Sequence, residues 1–252
     1  MNQFIRGVAR AAVESFDLPD TVLEIGSYQV AGQEGLIDLR GLFANRPYTG
    51  VDFRAGPGVD LVANVEKLPL PDASVGTVVA FSVFEHVKQF WKGFDEVRRV
   101  LRPDGVFLVC CPFYFHVHSY PHDYWRFTPE AFDSLLEPYP TRILGWHGPE
   151  RRPLNVWAIA FGEEAKVPTP AQYETYRAKL TEYAKEPLGL GRRLRFGLGR
   201  VLCGRRPFAP HLDRDKWTTV LHQTPRPAVR HWVLPFVRPP VVVTSHAIQK
   251  VA

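Results

Sequence analysis

Along the first two thirds of this chain, apolar residues recur in two different periods, and the alternation between them predicts its elements. Consecutive apolar runs mark buried strands at Thr21 to Ile25, Tyr48 to Phe53, Asp60 to Val65, Val75 to Phe84 and Val106 to Cys111, where Pro112 stops the run. Apolar residues at helical spacing predict helices over Glu34 to Phe43 and Phe90 to Leu101, the second closed by Arg102-Pro103-Asp104-Gly105. Met1 to Phe16 reads as a short amphipathic helix, because Arg6 and Arg10 break the apolar core a signal peptide needs. Thr128-Pro129-Glu130 offers an N-cap, a proline at the first helical position and an acid in the first turn, predicting a helix through Leu136. Strands over Ile143 to Trp146 and Asn155 to Phe161 complete an α/β pattern with a mostly parallel sheet over residues 1 to 162.

Beyond Gly162 the pattern fades: 10 of 90 residues are proline, and helical periodicity is evident only around Ala171 to Ala184. Residues 163 to 252 therefore read as a basic, proline-rich extension. Charge sharpens the division. Residues 1 to 162 carry 15 Lys and Arg against 19 Asp and Glu, a net of −4, whereas the extension carries 16 against 7, a net of +9. Such a split points to an anionic partner for the tail or to a tail folded back on an acidic body. Gly191 to Arg206 holds six arginines and no acid, with Leu194, Phe196, Leu198, Val201 and Leu202 between them. An anionic membrane surface suits that mixture; nucleic acid is favoured by charge alone, and a basic helix docked on the body is the plain reading. Ala228 to Val243 contains two arginines and three prolines and cannot span a membrane. Cys110, Cys111 and Cys203 form no metal or disulfide pattern, so the expected setting is reducing and cytoplasmic, peripheral to the inner membrane surface if the tail binds lipid.

Open α/β sheets bind ligands outside the carboxyl ends of their strands. The first strand ends Leu23-Glu24-Ile25-Gly26-Ser27 and the second ends Gly50-Val51-Asp52. A glycine there admits close backbone approach, and a carboxylate at the second strand end can accept both hydroxyls of a ribose. Gly26 to Gly32 contains only two glycines, not the G-x-G-x-x-G of a dinucleotide site, and Glu24 would repel a pyrophosphate while favouring a cationic ligand.

Over roughly residues 20 to 162, these motifs and their order resemble the class I S-adenosylmethionine-dependent methyltransferases, which implies a Rossmann-like sheet and that cofactor. Leu23-Glu24-Ile25-Gly26-Ser27 resembles the family's acidic-x-Gly first motif, and Val51-Asp52 its second, whose acid holds the ribose. The stretch from Asp60 through Asn64-Val65 to Asp72 resembles the third, implying that Asn64 and the Val65 amide meet the adenine. Ser82-Val83-Phe84-Glu85-His86-Val87 is similar to the fourth strand's end beside the methionine moiety, and Val100 to Gly105 matches the helix-to-strand junction.

Methyl transfer to a hydroxyl needs positioning and a base, and histidine titrates nearest neutrality. Tyr114 to Arg126 is dense in candidates. His118 and His122 are the expected bases with His86 competing, and His116, Asp123, Tyr124 and Arg126 are expected to meet the acceptor. The spacing H-x-H-x3-H-D is not diagnostic of a metal site, and no metal is expected. The resulting expectation is an S-adenosylmethionine-dependent methyltransferase acting on a small-molecule or glycan acceptor at a hydroxyl. A nicotinamide-dependent oxidoreductase and a non-catalytic binding module of the same fold are the alternatives.

Overall fold

The computed structural model describes residues 3–32, 38–118, 121–183 and 216–223, with Gly191, Leu194, Leu198 and Val201 between. Among the described residues, eight strands form one sheet in the order β3-β2-β1-β4-β5-β7-β6-β8. They are β1 (Val22–Ile25), β2 (Tyr48–Asp52), β3 (Leu61–Val62), β4 (Val75–Phe81), β5 (Leu101–Pro112), β6 (Thr141–His147), β7 (Asn155–Phe161) and β8 (Trp217–Gln223). The first five run parallel, and β7, β6 and β8 add antiparallel pairs at one side. From β1 the chain builds outward to β2 and β3, then returns to β4 and β5 on the other side. The order thus reverses between β1 and β4, where carboxyl ends diverge and leave a cleft.

Strong alternation along β5 explains the layering. Phe107, Val109 and Cys111 enter one buried cluster with α2 (Phe90–Val100) and α3 (Pro129–Leu135), while Val106, Leu108 and Cys110 enter another with α1 (Gln3–Ser15) and α4 (Pro170–Tyr183). A strand covered on both faces reads as a continuous apolar run, which is why these strands were visible in the sequence. The Thr128 side chain accepts from the Ala131 amide at 3.1 Å, with Pro129 behind it, as its cap pattern predicts.

Several boundaries shift. Arg102 to Gly105 is not a loop: β5 begins at Leu101 and takes it in, pairing Leu101 with Val75 before an irregularity. β4 stops at Phe81, because Ser82 turns the backbone to φ +58. In place of the helix expected over Glu34 to Phe43 stands a 3-10 turn at Arg40–Phe43, and residues 33–37 lie outside the described residues. The sheet also continues past Phe161. α4 docks on α1, and β8 pairs with β6 from Thr141↔Gln223 to His147↔Trp217. The division at residue 162 therefore follows charge and composition, not a break in the fold. No helix among the described residues is long and apolar enough to cross a membrane.

Candidate functional site

A cavity of about 740 Å³ opens at the carboxyl ends of β1, β2, β4 and β5, within the 300–1,000 Å³ range common for small-ligand sites. On its β1–β2 side lie Glu24, Gly26, Asp52, Asn64 and Val65. Glu24 is buried at the end of β1 and accepts from the Tyr48 hydroxyl at 2.6 Å. Burial dominates its titration and raises its pKa from 4.5 to about 7. Gly26 has φ +80, and a Cβ there would meet Val83 Cγ2 at 2.3 Å, so backbone conformation and close packing both demand glycine. Asp52, buried at the end of β2, accepts from the Arg54 amide at 3.0 Å. The Arg54 guanidinium lies over the Tyr28 ring at 4.3 Å, walling this side. Asn64 Oδ1 accepts from the Glu66 amide at 2.9 Å, fixing the loop after β3. Ser82 lines the floor in its left-handed conformation, an uncommon one for a non-glycine residue.

The opposite side carries the histidines. Glu85 and His86 stand in a 3-10 turn at Phe84–His86 after β4, and His116 and His118 arrive from the segment after β5. The His86 and His118 rings meet edge to face with centroids 4.8 Å apart. His86 Nδ1 contacts the His122 carbonyl; since a carbonyl only accepts, Nδ1 is the donor. His118 Nδ1 lies 3.0 Å from Asp123 Oδ2, at hydrogen-bonding range though off the ideal N–H direction. Asp123 is clamped by both Arg126 terminal nitrogens, at 2.5 and 2.7 Å, and also accepts from the His118 amide at 2.9 Å. The guanidinium holds its carboxyl far below the usual carboxylate range. Glu85 is fully buried and lines the cavity, and burial pushes its pKa up to about 8. His86 is lowered, chiefly by burial.

Residues 42–109 match a family model described as a methyltransferase domain. A "Probable S-adenosylmethionine-dependent methyltransferase" of Mycolicibacterium smegmatis (strain ATCC 700084 / mc(2)155) is 49% identical over 97 residues, 38% of this chain and 31% of that protein. A protein of similar name from Mycobacterium tuberculosis (strain ATCC 25618 / H37Rv) is 46% identical over 57 residues, 22% of this chain and 21% of the other. Over these matched stretches the chain is similar to S-adenosylmethionine-dependent methyltransferases. It spans less than a third of the length of these curated relatives. Among solved structures, the Burkholderia thailandensis 1,6-didemethyltoxoflavin-N1-methyltransferase with bound 1,6-didemethyltoxoflavin and S-adenosylhomocysteine superposes at TM-score 0.48 with 17% identity, covering 64% of this chain and 78% of that one.

The arrangement redistributes the residues expected from sequence. Glu24, Gly26, Asp52, Asn64, Val65 and Ser82 share the cavity wall with His86, His116, His118, His122 and Tyr124. Ser27 is not on that wall: it is buried beneath the turn, where a Cβ on Gly50 would lie 2.7 Å from its Oγ. Asp123 and Arg126 are not on it either. The Asp123 side chain is 1% exposed and held by Arg126 beside His118, so the pair braces a histidine. Sequence reading missed Glu85, Tyr28 and Tyr48 as site residues. Glu85 did carry a signal, being a carboxylate set directly after an apolar strand and its apolar turn, where a solvated charge is not expected.

Proposed function

We propose that the chain transfers the methyl group of S-adenosylmethionine to a hydroxyl oxygen of a small-molecule or glycan acceptor. One observation carries this reading: a single cavity joins the strand-end carboxylates Glu24 and Asp52 to the edge formed by His86, His116, His118 and His122. Asp52 suits the paired ribose hydroxyls, Glu24 suits the ammonium of the methionine moiety, and the Asn64–Val65 loop suits the adenine edge. The glycine at position 26 lets the chain turn at φ +80 at the cavity wall with Val83 packed against it. When bound, S-adenosylmethionine supplies a methyl group on a sulfonium that departs as a neutral thioether.

The acceptor hydroxyl must lose its proton as the new bond forms, and imidazoles suit that task near neutral pH. His118 is the best braced of them, with Asp123 beside Nδ1 and Arg126 holding Asp123. His86 and the exposed His122 flank it. Tyr114, Phe115 and Tyr124 are exposed on the same wall, and their flat faces suit a sugar or aromatic ring. Glu24 speaks against a dinucleotide, because its charge opposes a pyrophosphate.

His118→Ala should lower turnover on a responsive hydroxyl acceptor by about 10²–10⁴ while leaving S-adenosylhomocysteine affinity unchanged. Turnover by coupled detection of S-adenosylhomocysteine, across sugars, glycosides and phenols, with affinity by calorimetry, makes the check. Full turnover in the folded variant would overturn the role given to this edge.

A further inference from the structure

Three groups at the acceptor edge have the makings of a cation site. Glu85, His86 and His118 each offer one ligand atom, and these atoms all lie within 4.8 Å of one another. His86 Nε2 is 3.8 Å from Glu85 Oε1. Glu85 supplies an independent observation: its side chain is completely buried, it lines the cavity, and neither carboxylate oxygen has a hydrogen-bond partner of ordinary geometry, the weak Cys111 thiol being alongside. A buried carboxylate left in that state is costly unless a cation completes it. Each histidine, moreover, has an outer partner for Nδ1: the His122 carbonyl for His86 and the Asp123 carboxylate for His118. Imidazoles that ligate metals are oriented in this way, the second nitrogen donating to a carbonyl or carboxylate.

We infer that Glu85, His86 and His118 form a binding site for a divalent transition cation of the zinc, cobalt or manganese type, with its open positions facing the acceptor. One carboxylate and two imidazoles suit those ions, whereas magnesium and calcium prefer all-oxygen sets. A cation held there would bind an acceptor oxygen and ease loss of its proton. The inference rests on the reading of this edge as the acceptor side, and it gives His118 a metal instead of a proton as its partner. Sequence spacing hid the site because Glu85 and His118 come from different strand ends.

The test uses the full chain, stripped with chelator and titrated with Zn²⁺ alone by calorimetry and with Co²⁺ alone by visible absorption. One saturable equivalent is expected, with cobalt ligand-field bands. Glu85→Gln and His118→Ala should each weaken binding by more than about 100-fold, and Asp123→Asn, an outer-shell change, by about 10–100-fold. His116→Ala should leave metal affinity unaltered. S-adenosylhomocysteine affinity is measured on every variant and should not move. Absence of saturable binding, or equal binding in Glu85→Gln and His118→Ala, overturns the metal site while leaving His118 its proton role. Failure to bind S-adenosylhomocysteine would instead strike the cofactor reading, and the metal titration stands independently of it.

Discussion

Glu24 is a carboxylate that folding puts in the wrong place for its charge unless a cationic group arrives. Burial outweighs the Tyr48 hydrogen bond and the attraction of Arg40, while Asp38 and Asp60 push in the same direction as burial, leaving the pKa at about 7. Since the folded value is raised from 4.5, the protonated carboxyl favours the folded state at low pH. That contribution is lost as pH rises from 4.5 through 7. A ligand ammonium needs the ionised form, whose fraction climbs from about one tenth at pH 6 to about nine tenths at pH 8. S-adenosylhomocysteine affinity should accordingly rise about tenfold over that range, and Glu24→Gln should flatten the profile. Calorimetry at three pH values decides, and a flat wild-type profile would rule out this contact. Asp52 calls for a simpler measurement. Its replacement by Ala removes an acceptor for two hydroxyls and should cost about 1.5–3 kcal/mol of S-adenosylhomocysteine affinity without loss of the fold. Unaltered affinity in folded protein would reject the cofactor's placement.

At the level of elements, the antiparallel side of the sheet is tied down from beyond Gly162. Trp157 on β7 is fully buried, and its indole N–H donates to the Tyr176 hydroxyl of α4 at 3.0 Å, while Tyr176 also packs on Phe16. Tyr176→Phe keeps the ring and strands the indole donor in the core. The expected cost is about 1–3 kcal/mol, read as a fall in melting temperature of roughly 2–4 °C per kcal/mol at this chain length. Cofactor affinity should be untouched, because α4 lies on the sheet face away from α2. An unchanged melting temperature would mean that α4 contributes no such bond. The same coupling explains why α4 stands on the sheet even though it carries no clear apolar stripe: only Tyr176 and Leu180 are buried along it.

The opposed charges of the two halves meet in part within the described structure. Lys179 and Tyr183 of α4 bond to Glu14 of α1, and those hydrogen bonds hold the Glu14 carboxyl at about 2; Lys166 pairs with Asp17. Folding back thus uses some of the tail's positive charge. The arginines from Arg192 to Arg206 lie outside the described residues, while Leu194, Leu198 and Val201 among them are exposed, at spacings of four and three. That mixture motivates association with an anionic lipid surface. Changing Arg192, Arg193, Arg195 and Arg200 to Gln should reduce co-sedimentation with anionic vesicles. Added salt should weaken the wild-type association steeply, since exposed charges are screened over about 8 Å at physiological ionic strength. Equal partitioning of both proteins would sink the membrane reading, and binding of duplex DNA in its place would favour nucleic acid.

What the sequence determined by itself was periodicity and local chemistry. The parallel strands announced themselves as apolar runs because both faces are covered, the α3 cap was spelled out by Thr128-Pro129-Glu130, and Gly26 and Asp52 stood at strand ends where ligands bind. None of this depends on which strand neighbours which. Tertiary structure decided what depends on contact across the chain. The Trp217–Gln223 strand has no core of its own to announce, and it exists by pairing with β6. Asp123 and Arg126 read from sequence as acceptor contacts, and packing sets them onto each other and beside His118. Glu85 looked like one letter of a strand-end motif, and only the approach of His118 from the next strand end made it one corner of a three-ligand cluster. Local spacing carries no information about such meetings, because β4 and β5 are brought side by side by hydrogen bonds between residues far apart in the chain.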